Sequence, residues 1–170
     1  ILNNYLFGVN ETVREYVRLT QELDARDTPV VLVLFGDHKP WMGNGGSVYE
    51  EMGIDFDTST LAGFRNYYAT PYLIWANRAA KEVLGADFTG DGGDFSPCFL
   101  MTRLFDACGW AGPGYMQLSR AMRDISPLLH TNGLFLHDGV LTSVLSDTDR
   151  SFYRSWLAVQ YYREHVAAYS

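Results

Sequence analysis

The chain has 170 residues, 47% hydrophobic and 15% aromatic, with a net charge of −7 and a pI near 4.9. That length and apolar content suit one globular domain with a real core and exclude a disordered segment. The 13 basic residues form no run, which excludes a nucleic-acid surface built on clustered Lys and Arg. No stretch approaches the ~18 apolar residues of a membrane span.

The start, Ile1-Leu2-Asn3-Asn4, offers neither a charged n-region nor a cleavage site, so no signal peptide is expected. The missing initiator Met predicts a piece of a longer protein. Asn10 suits the N-cap of a helix over Glu11–Asp24, with Val13, Tyr16, Val17 and Leu23 on one face. Asp27-Thr28-Pro29 ends it and opens a strand, Val30–Phe35, apolar on both sides as in a central strand covered by helices. The expected fold class is therefore α/β, a sheet with helices on both faces.

Residues 41–63 read as a long loop, glycine-rich and acidic, either a lid or a mobile segment. "YYATPYLIWAN" follows, with Thr70-Pro71 as an extended entry to a second buried strand, Tyr72–Trp75. Asn77–Leu84 suits a short helix ending at Gly85. Ser96 or Pro97 starts a helix to Gly109 that carries both cysteines, Cys98 and Cys108. Ten helical residues separate them by ~15 Å, too far to pair. Gly114-Tyr115 opens another helix, to about Ser126, which Pro127 blocks. "GLFLHDG", residues 133–139, is a short strand or hairpin arm. Ser146 and Asp149 resemble a capping box for a C-terminal helix over 146–168. Its aromatic residues Phe152, Trp156 and Tyr161 read as docking surface.

Within "VVLVLFGDHKPW" the apolar run stops at Gly36 and delivers Asp37 and His38 at the carboxyl end of the strand, where α/β sheets hold ligands. Carboxylate and imidazole are ligand types for zinc and manganese. Taken alone, the dipeptide reads as a turn-capping Asp beside a satisfied loop His.

The two segments together, "VVLVLFGDHKP" and then "YYATPYLIWAN", resemble the carboxy-terminal part of the sulfatase-like alkaline phosphatase superfamily. Within it they are most similar to the lipoteichoic acid synthase branch of phosphoglycerol transferases. In that branch a strand ends in Gly-Asp-His, and a Tyr-x-Thr-Pro-aliphatic-Ile-Trp-x-Asn segment forms the next strand. Tyr68, Thr70, Pro71, Ile74, Trp75 and Asn77 match it. The tail "FLMTRLFDACGWAGPGYMQLSRAMRDISPLL" also looks like theirs, and the resemblance spans Tyr5 to about Gly139.

The resemblance implies a sulfatase-like fold, of which residues 1–170 are the C-terminal portion of one catalytic domain. It implies that Asp37 and His38 are ligands of a divalent metal ion, manganese first, with zinc, magnesium or calcium as alternatives. The threonine nucleophile and a further acidic ligand are expected upstream, so the chain by itself is expected to be inactive. Lys39 and Trp41 could face a phosphoryl group or polar lipid head, or pack within a lid. The implied substrate is a phospholipid or polymer carrying glycerol phosphate, handled at the extracytoplasmic face of a bacterial membrane. Phosphoethanolamine transferases, phosphodiesterases and sulfatases share the metal pair, and a non-catalytic binding module is the rival from another class.

Other motifs carry less. "DFTGDGGD", Asp87–Asp94, has calcium-loop spacing at its start, but the twelfth position is Cys98 instead of a bidentate Glu, so it reads as a turn. "GNGGS" lacks the strand-to-helix frame of a phosphate loop. His130, His137 and His165 read as surface histidines.

Overall fold

The computed structural model describes residues 1–166, which fall into two compact units, one ending at Gly90 and the other starting at Asp91. The content is mixed helix and small sheets, as expected for an α/β chain.

The first unit opens with α1 (Leu2–Asp24), which starts well before the expected Asn10. Leu2, Tyr5, Leu6, Val9 and Val13 already keep helical spacing, so the amphipathic pattern overrides the local cap signal. Thr12 Oγ1 donates to Gly8 O at 2.9 Å inside the continuous helix. Arg14–Glu11, Arg18–Glu15 and Arg18–Glu22 pairs line the opposite, solvent-exposed stripe at helical spacing. No residue of α1 is fully buried.

β1 (Val31–Phe35) and β2 (Tyr72–Ala76) pair directly, Val31 opposite Ala76 and Phe35 opposite Tyr72. They are the neighbours that the sequence predicts. The expected covered sheet is corrected, however. The strands run antiparallel as a two-stranded ribbon, and β1 is half-buried, with Phe35 and Leu73 exposed. Uniform apolarity cannot distinguish a central strand from a ribbon whose faces are only partly covered.

The predicted loop over 41–63 is also corrected, because it is built around its own small core. A 3-10 turn, Asn44–Gly46, leads into α2 (Ser47–Glu51), and α3 (Leu61–Tyr68) begins before the segment ends. Met42 and Tyr49 are buried, and the Phe56 ring packs 4.8 Å from Tyr49 and 5.5 Å from Tyr67. Asp57, one of the acids that suggest a solvated loop, accepts from Ser59 N at 2.9 Å. Hydrogen bonding from Ser59 holds its carboxyl below the usual carboxylate range. Thr60 caps α3 by accepting from Gly63 N at 3.0 Å. A Cβ on Gly63 would lie 2.1 Å from the Asp57 carbonyl oxygen, so only glycine fits there. After β2, α4 (Arg78–Leu84) ends at Gly85, left-handed with φ 63°, as expected.

In the second unit the cysteine helix begins as a 3-10 turn, Pro97–Phe99, and continues as α5 (Leu100–Ala107). Both cysteines are free. α6 (Gly114–Ile125) stops where Ser126 turns extended ahead of Pro127. Then β3 (Leu129–His130), β4 (Leu134–His137) and β5 (Val140–Thr142) form an antiparallel meander. Asp138 and Gly139, with φ of 49° and 78°, make the two-residue turn between β4 and β5. α7 (Asp147–His165) is capped by Ser146, which accepts from Asp149 N at 3.1 Å; the predicted end at 168 lies outside the described residues. The core is Phe99, Met122 and Trp156, with Phe152 packed against it. Trp156 is thus interior rather than docking surface, while Tyr161 is exposed and stacked on His165.

Candidate functional site

The ribbon of the first unit is tied at both ends by the polar residues that flank β2. Asn77 is fully buried. Its side-chain oxygen accepts from Val30 N and from Ala80 N, both at 2.9 Å, which fixes the entry to β1 and caps α4. Its Nδ2 donates to Leu23 O at 3.0 Å and Thr28 O at 2.9 Å, joining the end of α1 and the following connection to the same point. At the other end Thr70 Oγ1 donates to Gly36 O at 2.7 Å, and Gly36 N donates to Pro71 O at 3.0 Å. A Cβ on Gly36 would come within 3.0 Å of Thr70 Cβ. The Thr-Pro…Asn pattern therefore has a mechanical meaning. It holds the carboxyl end of β1 where Asp37 and His38 follow.

At that corner both side chains are open to solvent, Asp37 82% and His38 78% exposed. Asp37 Oδ1 accepts from His38 N at 2.9 Å, which caps the turn. His38 Nδ1 lies 2.9 Å from Lys39 O. A carbonyl can only accept, so Nδ1 carries the proton and a neutral ring presents Nε2 as a bare lone pair. Nε2 in turn stands 3.7 Å from Asp37 Oδ2. Two ligands bound ~2.1 Å from one ion at a tetrahedral angle stand about 3.4 Å apart, so a few tenths of an ångström bring these two to a shared ion. The donor set fits a divalent cation as two ligands. Among the described residues no group of three or more His, Cys, Asp and Glu converges to complete the shell.

Lys39 lies beside the pair but is turned away from it. Its Nζ donates to the carbonyls of Arg65 and Asn66 at the end of α3, and burial lowers its pKa. Trp41 is 71% exposed. A groove of about 940 Å³ runs from His38 along α1 and the ribbon, with Tyr5, Tyr16, Tyr49 and Tyr72 among its lining residues. Nothing in the sequence isolates that groove, because its walls come from four separated segments. The anchoring roles of Thr70 and Asn77 are legible only in that both are polar residues bracketing an apolar strand.

The remaining motifs make local hydrogen bonds of their own. Asp87 accepts from Thr89 N at 3.0 Å, and Asp91 accepts from Gly93 N at 2.8 Å, both as turn-forming carboxylates. His137 Nδ1 pairs with Ile125 O at 3.1 Å, and His165 Nδ1 with Tyr161 O at 3.0 Å. His130 Nδ1 accepts from Asn132 N at 3.3 Å.

Over 121 residues, 68% of its length, the chain is 27% identical to a protein of Rhizobium meliloti (strain 1021) named for cyclic beta-1,2-glucan modification. The chain spans 17% of that relative's length. No protein-family model matches it, and no solved structure matches it. No helix among the described residues is long and apolar enough to cross a membrane.

Proposed function

We propose that this chain is the C-terminal part of a metal-dependent, sulfatase-like phosphoglycerol transferase, and that the acceptor it serves is a glucan. The observation that carries the reading is the corner after β1. There the His38 Nε2 and a carboxylate oxygen 3.7 Å apart are held at the end of a ribbon clamped by Thr70 and Asn77. The name of the Rhizobium relative supports a glucan as the molecule modified. A bound divalent ion, manganese first, supplies charge neutralisation on a phosphoryl group and lowers the pKa of a hydroxyl nucleophile.

The chain's own residues have narrower tasks. Asp37 and His38 are the two ligands, and the Lys39 carbonyl fixes the His38 tautomer so that Nε2 faces outward. Asp37 contributes charge as well as a donor atom. The nucleophile and the remaining ligands belong to other parts of the longer protein, which works at the extracytoplasmic face of the membrane on a glycerol-phosphate-bearing lipid. The 170-residue chain alone is inactive.

The test is transfer of radiolabelled phosphoglycerol from lipid to glucan by the longer protein, in wild type and in His38→Ala and Asp37→Asn variants. Both variants lose at least 100-fold in rate while keeping their fold, since each side chain is exposed and contributes little packing. Full activity in either variant overturns the reading.

A further inference from the structure

Trp41 is an exposed indole on an anchored backbone. On its N-terminal side Lys39 is tied to the α3 carbonyls, and Tyr49 OH donates to Pro40 O at 2.6 Å. On its C-terminal side Met42 is buried. The ring therefore stands in water because its neighbours hold it there. Burying an aromatic of this size takes a large apolar area out of water, and 71% exposure forgoes most of that gain. Trp156, by contrast, is buried in the core of its own unit.

The position narrows what such a ring can recognise. Trp41 lies three residues after His38 and does not itself line the apolar groove, although Pro40 and Met42 on either side of it do. The chain's net charge of −7 disfavours a nucleic acid. A pyranose fits better. One of its faces is a patch of C–H hydrogens that carries slight positive charge, matching the negative face of an indole. Its hydroxyls project from the rim, where they stay hydrated.

We propose that Trp41 is a stacking platform for a glucose ring of the acceptor, a positioning and specificity residue that presents the glucan to the Asp37–His38 corner. This rests on the glucan reading above. It requires no role for Lys39, whose ammonium is already engaged.

The experiment is a titration of the longer protein, labelled at its tryptophan indoles, with a linear β-1,2-linked glucose hexamer, followed by heteronuclear NMR at the indole N–H signals and by calorimetry. The expected result is a saturable shift of the Trp41 signal. Trp41→Ala should weaken binding about tenfold, the size of one aromatic stacking contact, while Trp41→Tyr stays within about threefold because a phenol ring still offers a flat face. Thermal unfolding of both variants checks that the fold is kept. The readout needs neither metal nor turnover, so it stands or falls separately from the ligand roles of Asp37 and His38. Absence of a Trp41 shift with the hexamer, equal affinity in Trp41→Ala, or a response to glycerol 1-phosphate alone would overturn the proposal.

Discussion

The side-chain oxygen of Asn77 accepts a hydrogen bond from Val30 N at 2.9 Å, linking the residue after β2 to the residue before β1. Because the same amide also donates to Leu23 O and Thr28 O, one buried side chain joins a helix end, a connection, a strand and the start of another helix. No other residue type of that size offers two donors and a two-lone-pair acceptor in one plane.

Asn77→Asp is accordingly expected to be severe. It replaces the donating nitrogen by an oxygen aimed at two carbonyls, in a site without solvent. A loss on the order of 3 kcal/mol is expected from the buried, unsatisfied charge. Urea unfolding monitored by circular dichroism measures it. An unchanged midpoint would show that the amide is not the anchor described here.

Thr70→Val tests the other clamp. Valine keeps the branched shape and removes only the hydroxyl that donates to Gly36 O. The expected cost is about 1 kcal/mol, with the Gly36 carbonyl left to find water. Amide shifts in an NMR spectrum should move at Gly36, Asp37 and His38 and stay put at Val31. Uniform silence at all four would separate the Thr-Pro turn from the corner it is said to hold.

The segment over 41–63 is the clearest case of what a sequence conceals. Its glycines and acids suggest a mobile lid, yet Met42, Tyr49 and Phe56 close a small core, and Asp55 and Asp57 serve as turn caps. Hydrogen exchange should find slow amides at Gly53, Ile54 and Gly63, which donate to Glu50 O, Tyr49 O and Thr60 Oγ1. Exchange at the intrinsic rate across all three would restore the mobile reading.

In the second unit Asp106 faces Arg120 Nε at 2.6 Å and Arg123 Nη2 at 2.7 Å. Burial pushes its carboxyl up, but hydrogen bonds from Arg123 and Arg120 outweigh that and leave it below the usual range. A depressed folded pKa means that the contribution is complete above the unfolded value of ~3.9 and fades as pH falls through the folded value. Asp106→Ala should cost on the order of 3 kcal/mol near neutral pH, since it leaves Arg123 largely buried with only the more distant Asp124, at 4.0 Å, as an ion partner. The gap between variant and wild type should close below pH ~3.9. A gap independent of pH would assign the loss to packing.

The legible parts of this chain were those set by short-range chemistry. β1 and β2 follow from apolar runs ended by Gly36 and opened by Thr70-Pro71, α4 from Asn77 and Gly85, and β4 from the short apolar arm within residues 133–139. Asp37 and His38 stand out because the apolar run stops at Gly36 and delivers them at the carboxyl end of the strand. Less legible were long-range matters. Nothing in Val30–Phe35 tells which direction its partner runs or how much of its surface is covered, and Asn10 resembles a cap although Leu2 to Val9 extend the helical stripe beyond it. The orientation of Lys39 depends on carbonyls 26 and 27 residues away, outside any local pattern.

Asp37 and His38 are proposed to bind one divalent ion together. The direct measurement is calorimetric titration of the longer protein with Mn²⁺, in wild type and in His38→Ala, alongside the 170-residue chain alone. Two ligands without the rest of a shell bind weakly, so the chain alone should show little heat, the longer protein a saturable site, and His38→Ala at least a 100-fold loss of affinity. A His38→Ala protein that binds Mn²⁺ as tightly as wild type would contradict the account.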